Sequence, residues 1–219
     1  DGGTVHLEWT SRPNVAEGLL FAIARDITDR KRQEALTDAL LKASKSVLDS
    51  ASFEEAARAI FDYCKSLTGA TSGYVALLSS DGAENEVLFL DAGGRPCSVD
   101  SELPMPIRGL RAEAYRDKKV VYDNNFSGSE WMKFMPGGHV GLDNVMFAPL
   151  VIDGQCVGLI GLANKPGDFT DADASAAAAF GELAAVALRD SRAEEALRAS
   201  ENKFRSLFEQ AGDYILILE

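Results

Sequence analysis

The sequence predicts an α+β protein: a central antiparallel β-sheet with helices on its faces, entered and left by long helices. Three observations carry that prediction. Asp153-Gly154 separates two apolar runs, Asn144–Ile152 and Gln155–Ala163, and is a strong hairpin signal. No Gly or Pro interrupts the chain from Ile27 to Leu67, so little there breaks a helix. After Thr170, with Asp173 at the third position beyond it, an Ala-rich run extends through Arg189 and Glu195 towards Phe208.

Taken in order, Thr4–Thr10 alternates, with Val5, Leu7 and Trp9 on one face, so it reads as a strand. His6 falls on the opposite, polar face and reads as a solvated strand residue. Ser11–Gly18 is a turn-forming stretch, and Leu19–Ile27 is a second apolar strand. A two-stranded hairpin is not stable alone, so further strands are expected upstream of Asp1. A helix follows from Thr28, with Leu36, Leu40, Ala43 and Val47 in heptad spacing. That seam predicts a parallel helix partner more than an internal face. Ser52 with Glu55 forms a capping box for a second helix, which is expected to bury Ala56, Ala59, Ile60, Tyr63, Cys64 and Leu67 and to stop at Gly69.

The pattern then turns to sheet. Gly73–Leu78 and Glu86–Leu90 are strands around an Asp81-Gly82 turn, Arg108–Asp117 is a short helix, and Lys119–Tyr122 is a further strand. Asp123–Asp143 is a long Gly-rich loop with Phe126, Trp131, Met132, Phe134 and Met135 at its centre. On the terminal helix, Phe180, Leu183, Ala187, Leu197 and Phe204 form a seam broken by Asp190, Glu194 and Glu201, which keeps alternative helix arrangements close in energy.

Bulk properties narrow the function. The net charge is −12, with 34 acidic against 22 basic residues, a balance that repels phosphate backbones and anionic lipid and argues against nucleic-acid binding. The longest apolar runs, around Ala174–Phe180 and Val145–Ile152, fall short of the roughly 18 residues of a membrane span. There is no secretory leader pattern. Cys64, Cys97 and Cys156 lie far apart without a CxxC pair, which argues against a disulfide framework or a zinc site and suits a reducing, cytoplasmic compartment. The chain opens at Asp1 without methionine and ends at Glu219 in mid-pattern, and so reads as a piece of a longer protein whose other parts could carry a membrane anchor.

Three stretches resemble known signalling domains. Ala24-Arg25-Asp26-Ile27-Thr28-Asp29-Arg30-Lys31 is similar to the exit of a PAS domain, where an Asp-Ile-Thr triplet leads from the last strand into a signalling helix. There Asp26 is expected to pair with Arg30 or Lys31 and Thr28 to cap the helix. Glu194–Arg198 and Ser200–Gln210 resemble the opening of another PAS domain, with Asp213–Ile217 as its first strand. Between them, Gly158–Asp173 resembles the end of a GAF domain. Asn164, Lys165, Phe169 and Asp173 match its Asn-Lys…Phe…Asp-Glu signature, and Ala174 stands in place of the final Glu. The implied organisation is a PAS remnant over residues 1–28, a linker helix over 29–50, a GAF domain over 51–189, a second linker helix over 190–200 and the start of a PAS domain over 201–219. It implies a PAS-like sheet with a ligand pocket between the sheet and the loops and helices over one face.

No catalytic constellation is present: GxGxxG, P-loop and HExxH motifs are absent, and so are kinase ATP-binding boxes, a phospho-acceptor His helix and a cyclase motif. His139 lies in Pro136-Gly137-Gly138-His139-Val140-Gly141, and all four methionines (Met105, Met132, Met135, Met146) fall in the same region as Trp131 and Phe134. Soft side chains around one His suit a flat apolar cofactor such as haem, with Cys97 as a second attachment point; the stretch from Leu103-Pro104-Met105-Pro106-Ile107-Arg108 to His139 looks like the GAF subgroup of prokaryotic redox sensor kinases. The opposing reading makes His139 a polar loop residue and Cys97 an incidental thiol. Lys165 and Asp173 are read chiefly as a salt bridge tying the last strand to the helix, with Phe169 filling core, and cyclic-nucleotide binding as the lesser alternative. Cys64 and Cys156 are read as core.

The expected function is a homodimeric sensory segment of a sensor histidine kinase, binding a small-molecule or redox ligand, relaying through its flanking helices and acting on a downstream response regulator. The alternatives are a ligand-free dimerisation spacer, or the sensor segment of a cyclic-di-nucleotide enzyme or transcription regulator.

Overall fold

The computed structural model describes residues 4–96, 98–100 and 103–211. Strands β1 (Leu7–Asn14) and β2 (Leu19–Asp26) pair antiparallel as a separate two-stranded ribbon. β1 runs past Thr10 through Pro13, which a two-stranded ribbon tolerates because the missing N–H costs no central ladder bond. The turn is correspondingly tight, with Gly18 at φ +64° and the Asn14 side-chain amide donating to the Glu17 carboxylate at 3.0 Å. Trp9, Leu20 and Ile23 of this ribbon are exposed.

The ribbon joins helix α1 (Thr28–Asp49) through a contact set that differs from the expected one. Asp26 accepts the Thr28 backbone N–H at 2.8 Å, a local Asx-type turn, and the Thr28 hydroxyl accepts the His6 N–H at 2.9 Å instead of capping the helix. Arg30 pairs with Glu8 at 2.9 Å and Lys31 with Glu34 at 2.8 Å. Thr28 occupies the Asp26 carboxylate, and the two basic residues pair with other carboxylates.

Ser52 accepts the Glu55 N–H at 3.3 Å and Glu55 reaches back to the Ala51 N–H at 2.9 Å, opening α2 (Phe53–Thr68). Gly69, at φ +76°, closes it in the left-handed conformation. α2 buries Ala56, Ala57, Ile60, Phe61, Cys64 and Thr68, while Ala59, Tyr63 and Leu67 are only partly covered. The α1 seam turns inward: Ala43 is fully buried, and Leu36, Leu40 and Val47 pack on the same core as α2. The face expected to meet a partner helix is therefore occupied within the chain, because α2 folds back alongside it.

The main sheet contains β3 (Ser72–Leu78), β4 (Asn85–Asp91), β5 (Val121–Asp123), β6 (Val145–Ile152) and β7 (Gln155–Ala163), in the order β4-β3-β7-β6-β5. All its pairings are antiparallel, so the chain is an α+β fold. Asp153 (φ +50°) and Gly154 (φ +73°) make the β6–β7 turn, which requires two positive φ values in succession.

Strand alternation divides the core in two. Met146, Ala148, Leu150, Ile160 and Leu162 face α1, α2 and α4 (Asp171–Ala211), whereas Val145, Phe147, Leu159 and Ala163 face α3 (Leu110–Asp117) and the loops. α4 comes so close to β6 that a Cβ on Gly181 would stand 2.7 Å from the Pro149 carbonyl oxygen. Its first half buries Ala177, Phe180, Ala184 and Leu188 on the sheet, and residues 192–206 are exposed on all sides. Arg189–Ser200 is continuous helix, and Leu197 and Phe204 of the expected seam stand in the exposed half. No helix among the described residues is long and apolar enough to cross a membrane. The expected strand Asp213–Ile217 lies outside the described residues.

Candidate functional site

An apolar pocket opens on the α3 face of the sheet. Its floor is Tyr74 on β3, Phe147 on β6 and Gly161 on β7; its sides are β4 from Leu90 to Asp91 and the start of α3; its roof is the segment carrying Trp131, Phe134, Met135 and His139. The cavity volume is ≈ 80 Å³, well below the ~300–1,000 Å³ of small-molecule sites, so a ligand of that size must spread the roof.

The floor exists because Gly161 has no side chain. A Cβ there would meet the Tyr74 ring at 2.6 Å, so glycine is what lets the phenol lie flat across β7. The Phe147 ring lies beside it, tilted by 55°, with ring centroids 6.4 Å apart. At the wall, Gly109 (φ +66°) brings the start of α3 against the roof rings, where a Cβ would lie 3.1 Å from Phe134. Two short 3₁₀ turns, Phe126–Gly128 and Glu130–Phe134, build the roof, and Ser129 caps the second by accepting the Trp131 N–H at 3.3 Å. Arg108 latches it from outside, donating to the Phe134 carbonyl at 3.1 Å with its guanidinium 5.5 Å from the Phe134 ring.

The polar groups of the site are few. Asp91 is ion-paired with Lys65, which together with the Gly93 N–H holds its carboxyl below the usual carboxylate range. Outside the lining, Tyr115 donates to Asn85 Oδ1 at 2.6 Å, and its burial pushes its phenol pKa up. The Tyr74 phenol is likewise raised by burial, with the nearby Arg111 guanidinium opposing the rise. The guanidinium approaches the Tyr74 oxygen, but neither the Tyr74 hydroxyl nor Arg111 Nη1, both buried, has a partner of full hydrogen-bond geometry among the described residues.

Of the residues singled out from sequence, Trp131, Phe134, Met135 and His139 line the pocket, whereas Met132 is 40% exposed and is not part of the lining. Cys97 lies outside the described residues. His139 Nδ1 lies 2.8 Å from the Val140 carbonyl oxygen, a contact that fixes the ring and leaves Nε2 as the other nitrogen. Histidines that ligate metal are commonly oriented in this way. With Met105 and Met135 also in the lining, these residues fit a haem-type group in donor chemistry, on condition that the roof lifts.

Asn164, Lys165, Phe169 and Asp173 do not line this pocket. Asn164 (φ +57°) is buried, donating to the Gly141 carbonyl at 3.0 Å and to Ser72 Oγ at 3.2 Å while accepting the Asp143 N–H at 2.9 Å. Lys165 is ion-paired with Asp173, which also accepts from Thr170 at the start of α4, and Phe169 is buried in the core. Asp26, Ile27 and Thr28 sit at the ribbon–α1 junction, and are not part of the lining either. Tyr74, Arg111 and Gly161 escaped the sequence reading. The available signal was weak: Arg111 and Tyr115 stand four apart, beside the inward pair Leu110 and Ala114.

An antiparallel sheet with a roofed apolar pocket on one face and long helices on the other defines a sensory domain of the kind found in signalling proteins. The chain belongs to the GAF domain family, whose profile matches residues 50–189. It is 27% identical over 168 residues to the methyl sulfide methyltransferase-associated sensor of Methanosarcina acetivorans, an alignment covering 70% of this chain and 16% of that protein. The chain thus spans only a small part of that relative. Among solved structures it is similar to the GAF domain of a phosphoenolpyruvate-protein phosphotransferase from Coxiella burnetii, with a TM-score of 0.64, 12% identity and coverage of 74% of this chain and 98% of that one. It is also similar to free methionine-R-sulfoxide reductase from Neisseria meningitidis in complex with its substrate, with a TM-score of 0.59, 16% identity and coverage of 74% and 91%. At these identities the likeness is one of fold, and the fold carries several activities.

Proposed function

We propose that this chain is the sensory segment of a cytoplasmic signal-transduction protein, a sensor histidine kinase of a two-component phosphorelay, and that its GAF pocket binds a small ligand whose presence is relayed through α4. The observation that carries this reading is that one sheet serves both ends. β6 and β7 present Val145, Phe147 and Ala163 to the pocket side and Met146, Ala148, Ile160 and Leu162 to the helices. A ligand that spreads the roof loads the first set, and packed cores transmit such strain to the second. α4 then continues as exposed helix beyond the domain, a rigid arm on which a displacement can act. The relative from M. acetivorans, a sensor by name, supports the reading. On this view β1–β2 and the end of α4 belong to flanking PAS domains, and the exposed Leu197 and Phe204 meet a second copy in a dimer.

His139 favours haem as the ligand. It would hold the iron through Nε2, and the group when bound would supply redox-sensitive chemistry. The test is the absorption spectrum of the protein reconstituted with haem. A Soret band that is lost in His139→Ala supports this ligand, and no band in the native chain ends it. Relay is tested separately: two glycines substituted in the exposed stretch, Ala193→Gly with Ala196→Gly, should uncouple ligand from output in the parent protein without changing ligand affinity.

A further inference from the structure

Arg111 is a cation without an acidic partner among the described residues. Its Nη1 is buried and unpartnered, and no ion pair among the described residues includes it. The other charged groups of the pocket are committed: Asp91 to Lys65, and Arg108 to the Phe134 carbonyl. Beside Arg111 stands the Tyr74 hydroxyl, also buried; the guanidinium approaches the phenol oxygen as a donor without reaching full hydrogen-bond geometry, and no group among the described residues accepts the phenol's own proton. Burial raises the Tyr74 pKa, so the phenol keeps its proton and offers it. A guanidinium without a counter-charge, beside a phenol whose proton has no acceptor, is a destabilising arrangement for an empty site. A single acceptor with negative charge resolves both.

We propose, resting on the ligand-binding reading above, that the pocket selects small molecules with a flat apolar body and an anionic group, a carboxylate or a phosphate. The guanidinium of Arg111 takes the charge, the Tyr74 hydroxyl donates a second hydrogen bond, and the rings of Phe147, Trp131 and Phe134 take the apolar body. Arg111 is the second residue of α3, so the backbone donors at that helix start favour the same charge.

The test is calorimetric titration of the purified chain with 1-naphthoate, 1-naphthyl phosphate and the neutral 1-naphthamide. At least one anion should bind tenfold or more tightly than the amide, and the tighter of the two identifies the acid class. Arg111→Met should bring all three within about twofold, Arg111→Lys should restore part of the preference, and Arg116→Met, the same loss of charge on the exposed side of α3, should leave it intact. Should Arg111→Met not fold, Tyr74→Phe carries the test: it should weaken the anion several-fold and leave the amide unchanged. Equal binding of anions and amide overturns the anion site while the pocket stands, as a site satisfied by buried water alone would give. Binding of none of the three overturns the anion site, while the ligand-binding reading is decided separately by the haem spectrum. A preference that survives Arg111→Met or Tyr74→Phe also overturns the assignment.

Discussion

Replacing Gly161 with alanine sets a methyl carbon 2.6 Å from Cε1 of Tyr74 and 3.0 Å from both Cδ1 and Cζ. Favourable carbon contacts lie near 3.5–4.0 Å, so the overlap is about an ångström. The backbone itself accepts alanine, because Gly161 is a β7 strand residue without positive φ, and the loss of unfolded-state freedom alone would stabilise by roughly 0.4–1 kcal/mol. The ring has little room to retreat, with Phe147 on one side and the Arg111 guanidinium beside its hydroxyl. Overpacking of this kind costs about 1–3 kcal/mol, leaving from the mid-values a net loss of about 1.3 kcal/mol. At roughly 2–4 °C per kcal/mol for a chain of this size, Tm should fall by about 3–5 °C. Thermal melts followed by circular dichroism measure this directly. The decisive comparison is with Tyr74→Ala, which removes the ring: on that background Gly161→Ala should be neutral or stabilising, a coupling of about 1 kcal/mol or more. Gly141→Ala, with open space around its Cβ, should stay within about 0.5 kcal/mol. A native-background loss that persists in Tyr74→Ala, or no loss at all, would refute the reasoning.

Three further outcomes follow from the same geometry. Gly181→Ala gains roughly 1 kcal/mol of helix propensity but drives a Cβ to 2.7 Å from the Pro149 carbonyl oxygen, so the urea midpoint should fall, and a rise would show that α4 slides freely on β6. Asp91→Asn should lower stability by about 1 kcal/mol at neutral pH, since the pair with Lys65 is a quarter to a third exposed. Because the folded pKa is depressed below 3.8, that contribution is full above this value and disappears as pH falls through the folded pKa, so the gap between native and variant should close in acid; a gap independent of pH would contradict the pairing. Cys64 and Cys156 are buried with their thiol pKa values raised by that burial, so iodoacetamide at mildly alkaline pH should spare both in the folded protein and modify both in urea; peptide mapping that finds either one alkylated under native conditions would contradict their place in the core.

What was legible beforehand was local. Asp153-Gly154 announced the β6–β7 hairpin because few residue pairs accept two positive φ values, and Ser52 with Glu55 announced α2 because both side chains act within one turn. The uninterrupted α4 was readable from composition alone. Contacts between distant segments were not. The α1 seam looked outward until α2 was seen to cover it, and Phe61 was overlooked because its burial depends on the sheet beyond the helix, where it meets Phe89 edge-on at 5.4 Å. For the pocket, the aromatic and sulfur-rich roof stood out as a cluster in sequence. Its floor and its unpaired cation did not, because Tyr74, Arg111 and Gly161 come from three separate elements and only the folded sheet brings them together.

Amide hydrogen exchange with and without 1-naphthoate tests most directly whether occupancy of the pocket reaches the helix on the far side of the sheet. Binding should slow exchange across the roof, residues 126–142, and also shift it in α4 from Gly181 to Ser200. Protection confined to the roof, with α4 exchanging identically in both states, would contradict the relay.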